Sequence, residues 1–239
     1  MPSLPFEEAK ARVGTLSIGA LLAGAGGFLD GFTYVGHGRV FANAMTGNVV
    51  LLGVDLFSGD WHMAFRHLPP IIAFLLGVSV AQAMQVHAKR SGATAPYIAV
   101  LMLEIWVLLV LSLLPATTAD FIFTITIAFA ASVQVQTFRE VHGRAYSSTF
   151  TTGNLRTLSE AAFSWFVERN RQAVRVIKDF SAICSAFLLG AAAGGFGTRE
   201  FGNRALWCDI VLLILVAIQV RKRLRVRNDR NRRAVGAVH

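Results

Sequence analysis

Stretches of thirteen or more residues without a charged side chain recur along this chain, among them Thr15–Leu29, Leu68–Val86, Ser91–Leu103, Ile105–Ala119 and Phe121–Phe138. A helix that crosses a bilayer needs about 20 mostly apolar residues. Hydrophobic residues make up 54% of the chain and charged ones 15%, against about 25% charged in soluble domains. The pattern excludes a soluble globular enzyme and predicts an all-α polytopic membrane protein. Six spans fit the sequence: Thr15–Val35, Leu68–His87, Pro96–Leu114, Asp120–Thr137, Phe180–Gly197 and Arg204–Val220. Pro69, Pro70 and Pro96 suit first helical turns, where a missing N–H costs nothing. The polar segment Met1–Arg12 followed by a long apolar run reads as a retained first helix rather than a cleaved signal.

Charge sets the expected orientation. With both termini inside, 19 Lys and Arg residues lie inside and four (Arg39, Arg66, Arg199, Arg204) outside, as the positive-inside rule expects. An odd number of spans would put the basic middle segment and the basic tail on opposite sides. Eight basic residues fall in Arg221–Arg233. Such a cluster anchors a helix end in the cytoplasm and suits anionic lipid. The net charge of +9 comes with no groove-reading motif, so nucleic acid is not an expected partner. Cys184 and Cys208 lie in apolar segments without metal or redox spacing and read as small buried hydrophobes.

The chain repeats itself. HGRVFANAMTGN (His37–Asn48) recurs as HGRAYSSTFTTGN (His142–Asn154), FLLG (Phe74–Gly77) as Phe187–Gly190, and EIWVLL from Glu104 as DIVLLI from Asp209. Read backward, Phe32 and Val35 correspond to Phe138 and Val141, and Asp30 falls opposite Gln136. The order of four matches, more than any one of them, argues for a repeat. The expected organisation is a cytoplasmic segment 1–14, a three-helix half 15–115, a second half 119–220 and a basic tail 221–239. Three spans per half force opposite orientations, the 3+3 inverted plan whose sites lie near the midplane. Gly190 and Gly194 form a GxxxG pair, and Ala20, Gly24, Gly26 and Gly27 give the first span a small-residue face, both suited to close packing.

After each TGN comes a short helical pattern, Asn48–Phe57 and Asn154–Phe166. These read as re-entrant half-helices offering their N-termini to a solute, or as helices lying at the interfaces. Thr46 and Thr152 suit N-caps, and Gly47 and Gly153 suit close backbone approach.

Acids inside a span are functional candidates by default. Asp30 is the foremost, and Glu104 and Asp209 are buried acids that suit either function or a structural hydrogen bond. His37 and His142 could move protons or serve as loop histidines. Asn43, Asn48, Asn154, Gln134 and Gln136 could line a polar path or tie loops to helix ends. Arg156 joins the path candidates, although its i,i+4 spacing to Glu160 also suits a simple ion pair. No hydrolase, zinc, P-loop or dinucleotide signature is present, and no cofactor or metal set is read.

The stretch GFLDGFTYVGHGRVFANAMTGNVVLLG, Gly27–Gly53, resembles the signature of the YoaK-like family, bacterial inner-membrane proteins grouped as a domain of unknown function. The later TTGN and the span arrangement are also similar. The resemblance implies a multi-pass protein of the bacterial inner membrane and brings no substrate, cofactor or catalytic residue. The expected function is a small-solute transporter or channel-like facilitator. The alternatives are a non-transporting scaffold or sensor and an intramembrane enzyme.

Overall fold

The structure is a computed structural model that describes residues 6–91, 96–149 and 151–236, and the side chains of 7–91, 96–149 and 151–225. About 80% of the chain is helical. In chain order the elements are α1 (Phe6–Val13), α2 (Leu16–Gly36), α3 (Met45–Phe57), α4 (Trp61–Ala64), α5 (Leu68–Ser91), α6 (Tyr97–Ser112) and α7 (Asp120–Thr137). A two-stranded hairpin follows, β1 (Glu140–Val141) and β2 (Arg144–Ala145), then α8 (Thr151–Phe166), α9 (Ala173–Phe201), a 3-10 turn (Gly202–Ala205) and α10 (Leu206–Gly236).

Six long helices fall on the six expected segments. Four stretches are long and apolar enough to cross a membrane by length and composition: Leu16–Gly36, Trp61–Ser91, Asp120–Thr137 and Ala173–Arg225. The last contains α9 and the first part of α10. α6 has 16 residues, about 24 Å at 1.5 Å per residue. Pro69 and Pro70 sit in the first turn of α5, and Pro96 is the N-cap of α6. Two boundaries differ from the sequence reading. α9 starts at Ala173, because its charged first turns continue the helix and Asp179 is held by His142, Nδ1 to Oδ2, at 2.7 Å. α10 runs on to Gly236, so the basic tail continues a helix instead of leaving it. The basic side chains from residue 226 onward lie outside the described residues.

The helices pair across the chain. α2 lies along α9 and α5 along α7, while α6 packs on α10, α2 on α10 and α6 on α7. Contacts climb together along α2 and α9 (Gly24 with Gly190, Phe28 with Gly194, Gly36 with Thr198), so these two run parallel. A Cβ added at Gly27, Gly31, Gly190 or Gly194 would run into backbone of the partner helix. The FLLG glycines hold comparable places. Gly190 rests on Gly24 of α2, and Gly77 on Phe129 and Ser132 of α7. Between these pairs lies an apolar core that includes Phe32, Leu101, Leu108, Phe123, Leu213 and Val216. Large apolar side chains such as Leu75, Trp106, Leu188 and Phe196 face outward, the surface a lipid-facing bundle presents.

The HGR tripeptide makes a turn in both places, one residue out of register. Gly38 and Arg39 have φ of +74° and +58° just after α2. His142 and Gly143 have φ of +50° and +75° at the tip of the β1–β2 hairpin. Two successive positive φ values are what a tight hairpin turn requires. α2 ends one residue before HGR, whereas α7 ends five residues before it. The backward correspondence of Phe32 and Val35 with Phe138 and Val141, and of Asp30 with Gln136, therefore does not carry into the helices.

Lengthening a side chain at the α2–α9 contact should be far more damaging than at an open glycine. Gly190→Leu is expected to cost roughly 3 kcal/mol or more by overpacking against backbone. Gly53→Ala, in a helix with nothing near its added methyl, should stabilise by about 0.5–1 kcal/mol. Thermal unfolding of the two variants in one detergent checks both.

Candidate functional site: a polar seam and the His37 vestibule

The TGN asparagines are locks. Phe41 N–H donates to Asn48 Oδ1 at 2.9 Å, and Asn48 Nδ2 donates back to the Phe41 carbonyl at 2.7 Å. Ser147 N–H donates to Asn154 Oδ1 at 3.3 Å, and Asn154 Nδ2 donates to the Ser147 carbonyl at 2.7 Å. Each amide thus reads the backbone seven residues earlier at both of its ends. That seven-residue lock is common to the two motifs, although the distance from HGR to TGN differs by one residue. His67, buried beside the first lock, meets Asn48 Oδ1 at 3.3 Å and Asp55 Oδ2 at 3.4 Å.

Asp30 and its neighbours hold the loop that leads into α3. Asp30 Oδ1 accepts from Asn43 N–H at 2.7 Å and Ala44 N–H at 3.2 Å. Thr33 Oγ1 accepts from Ala42 N–H at 3.1 Å, and Asn43 Nδ2 donates to the Gly26 carbonyl at 3.1 Å. The N-cap of α3 is Ala44, which makes no side-chain cap bond. The carboxylate of Asp30 does the work expected of Thr46, because α2 brings it within reach of the free amides. Thr46 is exposed in the first turn of α3, and Thr152 is exposed inside α8 rather than capping it. Gly47 does sit against the Phe41 ring, but Gly153 has open space around it. Arg156 pairs with Glu160 at 2.8 Å on the surface. Met45 and Asn48 are the buried residues of α3, and Asn154 and Ala161 those of α8. Both helices are peripheral.

A second polar group lies between α6, α7 and α10. Gln134 Nε2 donates to Glu104 Oε2 at 3.0 Å, and Ser148 Oγ donates to Gln134 Oε1 at 3.3 Å. Asp209 is fully buried and within electrostatic range of Glu104. Gln136 lies apart, donating to Gln82 Oε1 at 2.8 Å in a lateral groove between α5 and α7. Among the described residues, the buried side-chain atoms with no partner are Asp30 Oδ2, His37 Nε2, Asn43 Oδ1, Glu104 Oε1 and both carboxylate oxygens of Asp209. Each unpartnered atom belongs to a residue singled out from sequence.

His37 walls two cavities. One, of about 570 Å³, is lined by residues including Gly36, Ser112, Asp120, Asn203 and Arg204. The other, of about 310 Å³, is lined by residues including Val40, His62, Arg66 and Thr124. His37 Nδ1 meets Asp120 Oδ1 at 3.2 Å, its ring stacks on Phe123 at 4.0 Å, and the Asn203 amide lies beside it. Burial lowers the His37 pKa below its usual 6.5, and Asp120 opposes this only in part. At the other end of the bundle, a cavity of about 10 Å³ lies among Gly14, Gly19, Tyr97, Phe138 and Tyr146. That is room for about one water. Tyr97 and Phe138 are in ring contact there at 5.2 Å, and Tyr146 Oη donates to the Gly19 carbonyl at 2.7 Å. No cavity described here is lined by Thr46–Asn48 or Thr152–Asn154.

Sequence reasoning missed His67, Asp120, Asn203 and Ser148. Asp120 carried a signal, since an acid opening an apolar run favours a helix N-terminus. Asn203, Ser148 and His67 lie in connecting segments, and only the fold brings them to their partners.

These features define a multi-pass, all-helical membrane protein with a polar seam through its core. The chain belongs to the family described as protein of unknown function (DUF1275), whose family model matches residues 18–219. It is 26% identical over 212 residues to the UPF0700 transmembrane protein YoaK of Bacillus subtilis (strain 168), covering 86% of this chain and 93% of that protein. The resemblance read from Gly27–Gly53 is borne out. No solved structure matches the chain.

Two outcomes follow from this geometry. Asn48→Ala should cost roughly 2–4 kcal/mol, because it leaves buried backbone groups at Phe41 unpaired; Asn154→Ala, whose lock has one longer bond, should cost less. Chemical unfolding in detergent reads both. For His37 the folded pKa lies below 6.5, so the unfolded chain binds more protons as pH falls through 6.5. Stability is therefore fully present above pH 6.5 and declines below it. The fall in Tm between about pH 7.5 and about pH 5 should be smaller in a His37→Gln variant.

Proposed function

We propose that this protein is a small-solute transporter or facilitator of the bacterial inner membrane, with six spans in two three-helix halves of opposite orientation and both termini cytoplasmic. The observation that carries this reading is a pair of vestibules at opposite ends of α2, α6 and α7. The His37 vestibule encloses about 570 Å³; its counterpart at the terminal end encloses about 10 Å³ and is stoppered by Tyr97, Phe138 and Tyr146. One open and one shut mouth on a common path is the arrangement alternating access requires. The exchange of partners supports the inversion, since α2 with α9 is matched by α7 with α5. The excess of Lys and Arg at the terminal end supports the orientation, and the tail there suits an anionic leaflet.

The reading is not enzymatic. The bonded partners of His37 and His142 are carboxylates, Asp120 and Asp179, rather than a hydroxyl or thiol that a histidine would activate. The TGN helices serve as structure at the periphery, and the solute path runs from the His37 vestibule along the seam.

The test uses a cysteine-free background (Cys184→Ala, Cys208→Ala) in oriented vesicles. Thr46→Cys should react with an impermeant maleimide from outside only, and Thr152→Cys from inside only; reaction from one shared side would remove the inversion. Ala116→Trp, which fills the His37 vestibule, should lower solute counterflow in proteoliposomes by at least about tenfold. Unchanged flux through that variant would remove the path.

A further inference from the structure

We propose that Glu104 and Asp209 together form an exchangeable proton-binding site in the membrane core. The use of that proton, coupling solute movement to the proton gradient, rests on the transport reading above; the binding itself does not.

The two acids come from α6 and α10, and both are buried, at 1% and 0% exposure. Neither Asp209 oxygen has a hydrogen-bond partner, and Glu104 has one free oxygen, Oε1. Among the described residues, Gln134 is the single donor bonded to the pair, and its other end is occupied by Ser148. The elements packed on α6 and α10 carry further charged groups. These are Asp30 on α2, Asp120 on α7, Arg204 on the 3-10 turn, and Glu7, Glu8, Lys10 and Arg12 on α1. None of them bonds to either acid among the described residues. No buried Lys or Arg is present among those residues to neutralise the pair.

Two ionised carboxylates in one water-poor site strongly disfavour each other, so the doubly charged state takes up a proton readily. A proton relieves both faults at once: it removes one charge and gives one carboxyl a hydrogen to donate. A divalent cation needs about six or more oxygen ligands, whereas three free oxygens are available here, and no cavity described above is lined by Glu104 or Asp209. The step balances simply. A hydronium ion arriving from the His37 vestibule gives its proton to a carboxylate oxygen and leaves as water, taking the pair from two negative charges to one. Release reverses this, with water accepting the proton. Asn203, in the vestibule wall, precedes Asp209 by six residues, so the access route and the site share one short segment.

Infrared difference spectroscopy on the purified full chain in nanodiscs tests the site without any solute. The Asp30→Asn protein should show a protonated-carboxyl C=O band at neutral pH. The band should shift in D2O without unfolding and be indifferent to NaCl. It should disappear when Glu104→Gln and Asp209→Asn are added. Each single change leaves an isosteric amide that can donate to the remaining acid, so these variants should fold and lose the exchangeable band in turn. A band that survives the double change, that disappears with Asp30→Asn alone, or that NaCl bleaches would overturn the proposal, the last by showing a metal cation in the proton's place. Loss of flux with the band intact would count against the transport reading and leave the site standing.

Discussion

Where α2 and α9 meet, a single methyl on Gly27, Gly31, Gly190 or Gly194 would strike the partner's backbone. Lipid gives no hydrophobic drive for helices to associate, so contact this close is what holds them. It also fixes the rotation of α2 about its axis. With that rotation fixed, Asp30 and Thr33 point at the loop 42–44, and Phe32 points at Phe123 in the core. The seam, the vestibule wall at His37 and the entry into α3 all inherit their positions from this one interface.

The polar residues of the core fall into two physical groups. Asn48, Asn154 and Thr33 have their hydrogen-bonding capacity turned onto backbone close in sequence, and they fasten loops that would otherwise present unsatisfied amides to lipid. Asp30, Asn43 and Glu104 are satisfied at one atom and free at another, and Asp209 is free at both oxygens. Leaving a buried polar atom unpaired costs about 1–3 kcal/mol and more for a charge. Several such atoms in one core are more than packing alone calls for, and the transport proposal gives them a use.

The number, order and approximate ends of the long helices were legible because charge-free runs of that length have few other uses. The identities of the seam residues were legible for the same reason, since a carboxylate in an apolar run stands out. Their roles were not. The threonines of TGN looked like caps because the sequence around them supplies no competitor, yet the competing carboxylate arrives from α2, sixteen residues before Thr46. The two HGR turns looked equivalent because the tripeptide is the same, but a helix end and a hairpin tip both accept successive positive φ values. Asn203, His67 and Ser148 gave no periodic or spacing signal, and their partners lie far away along the chain or across a loop.

On the transport proposal, the same residues bear on the sign of the solute. Sequence left it open, because helix N-termini favour anions while a buried aspartate favours cations. The N-terminus of α3 is already occupied by a carboxylate of the protein itself, Asp30, and the first turn of α8 is largely exposed at the periphery. Neither offers its amides to the seam. Five of the six unpartnered atoms there are acceptor oxygens, and the sixth is the ring nitrogen of His37. Arg66 and Arg204 stand at the cavities beside His37 and can gather anions at the mouth, but they do not reach the unpaired oxygens beyond it. Whatever stabilises that interior must therefore bring donors with it, as a proton, a cation or a solute rich in N–H or O–H groups.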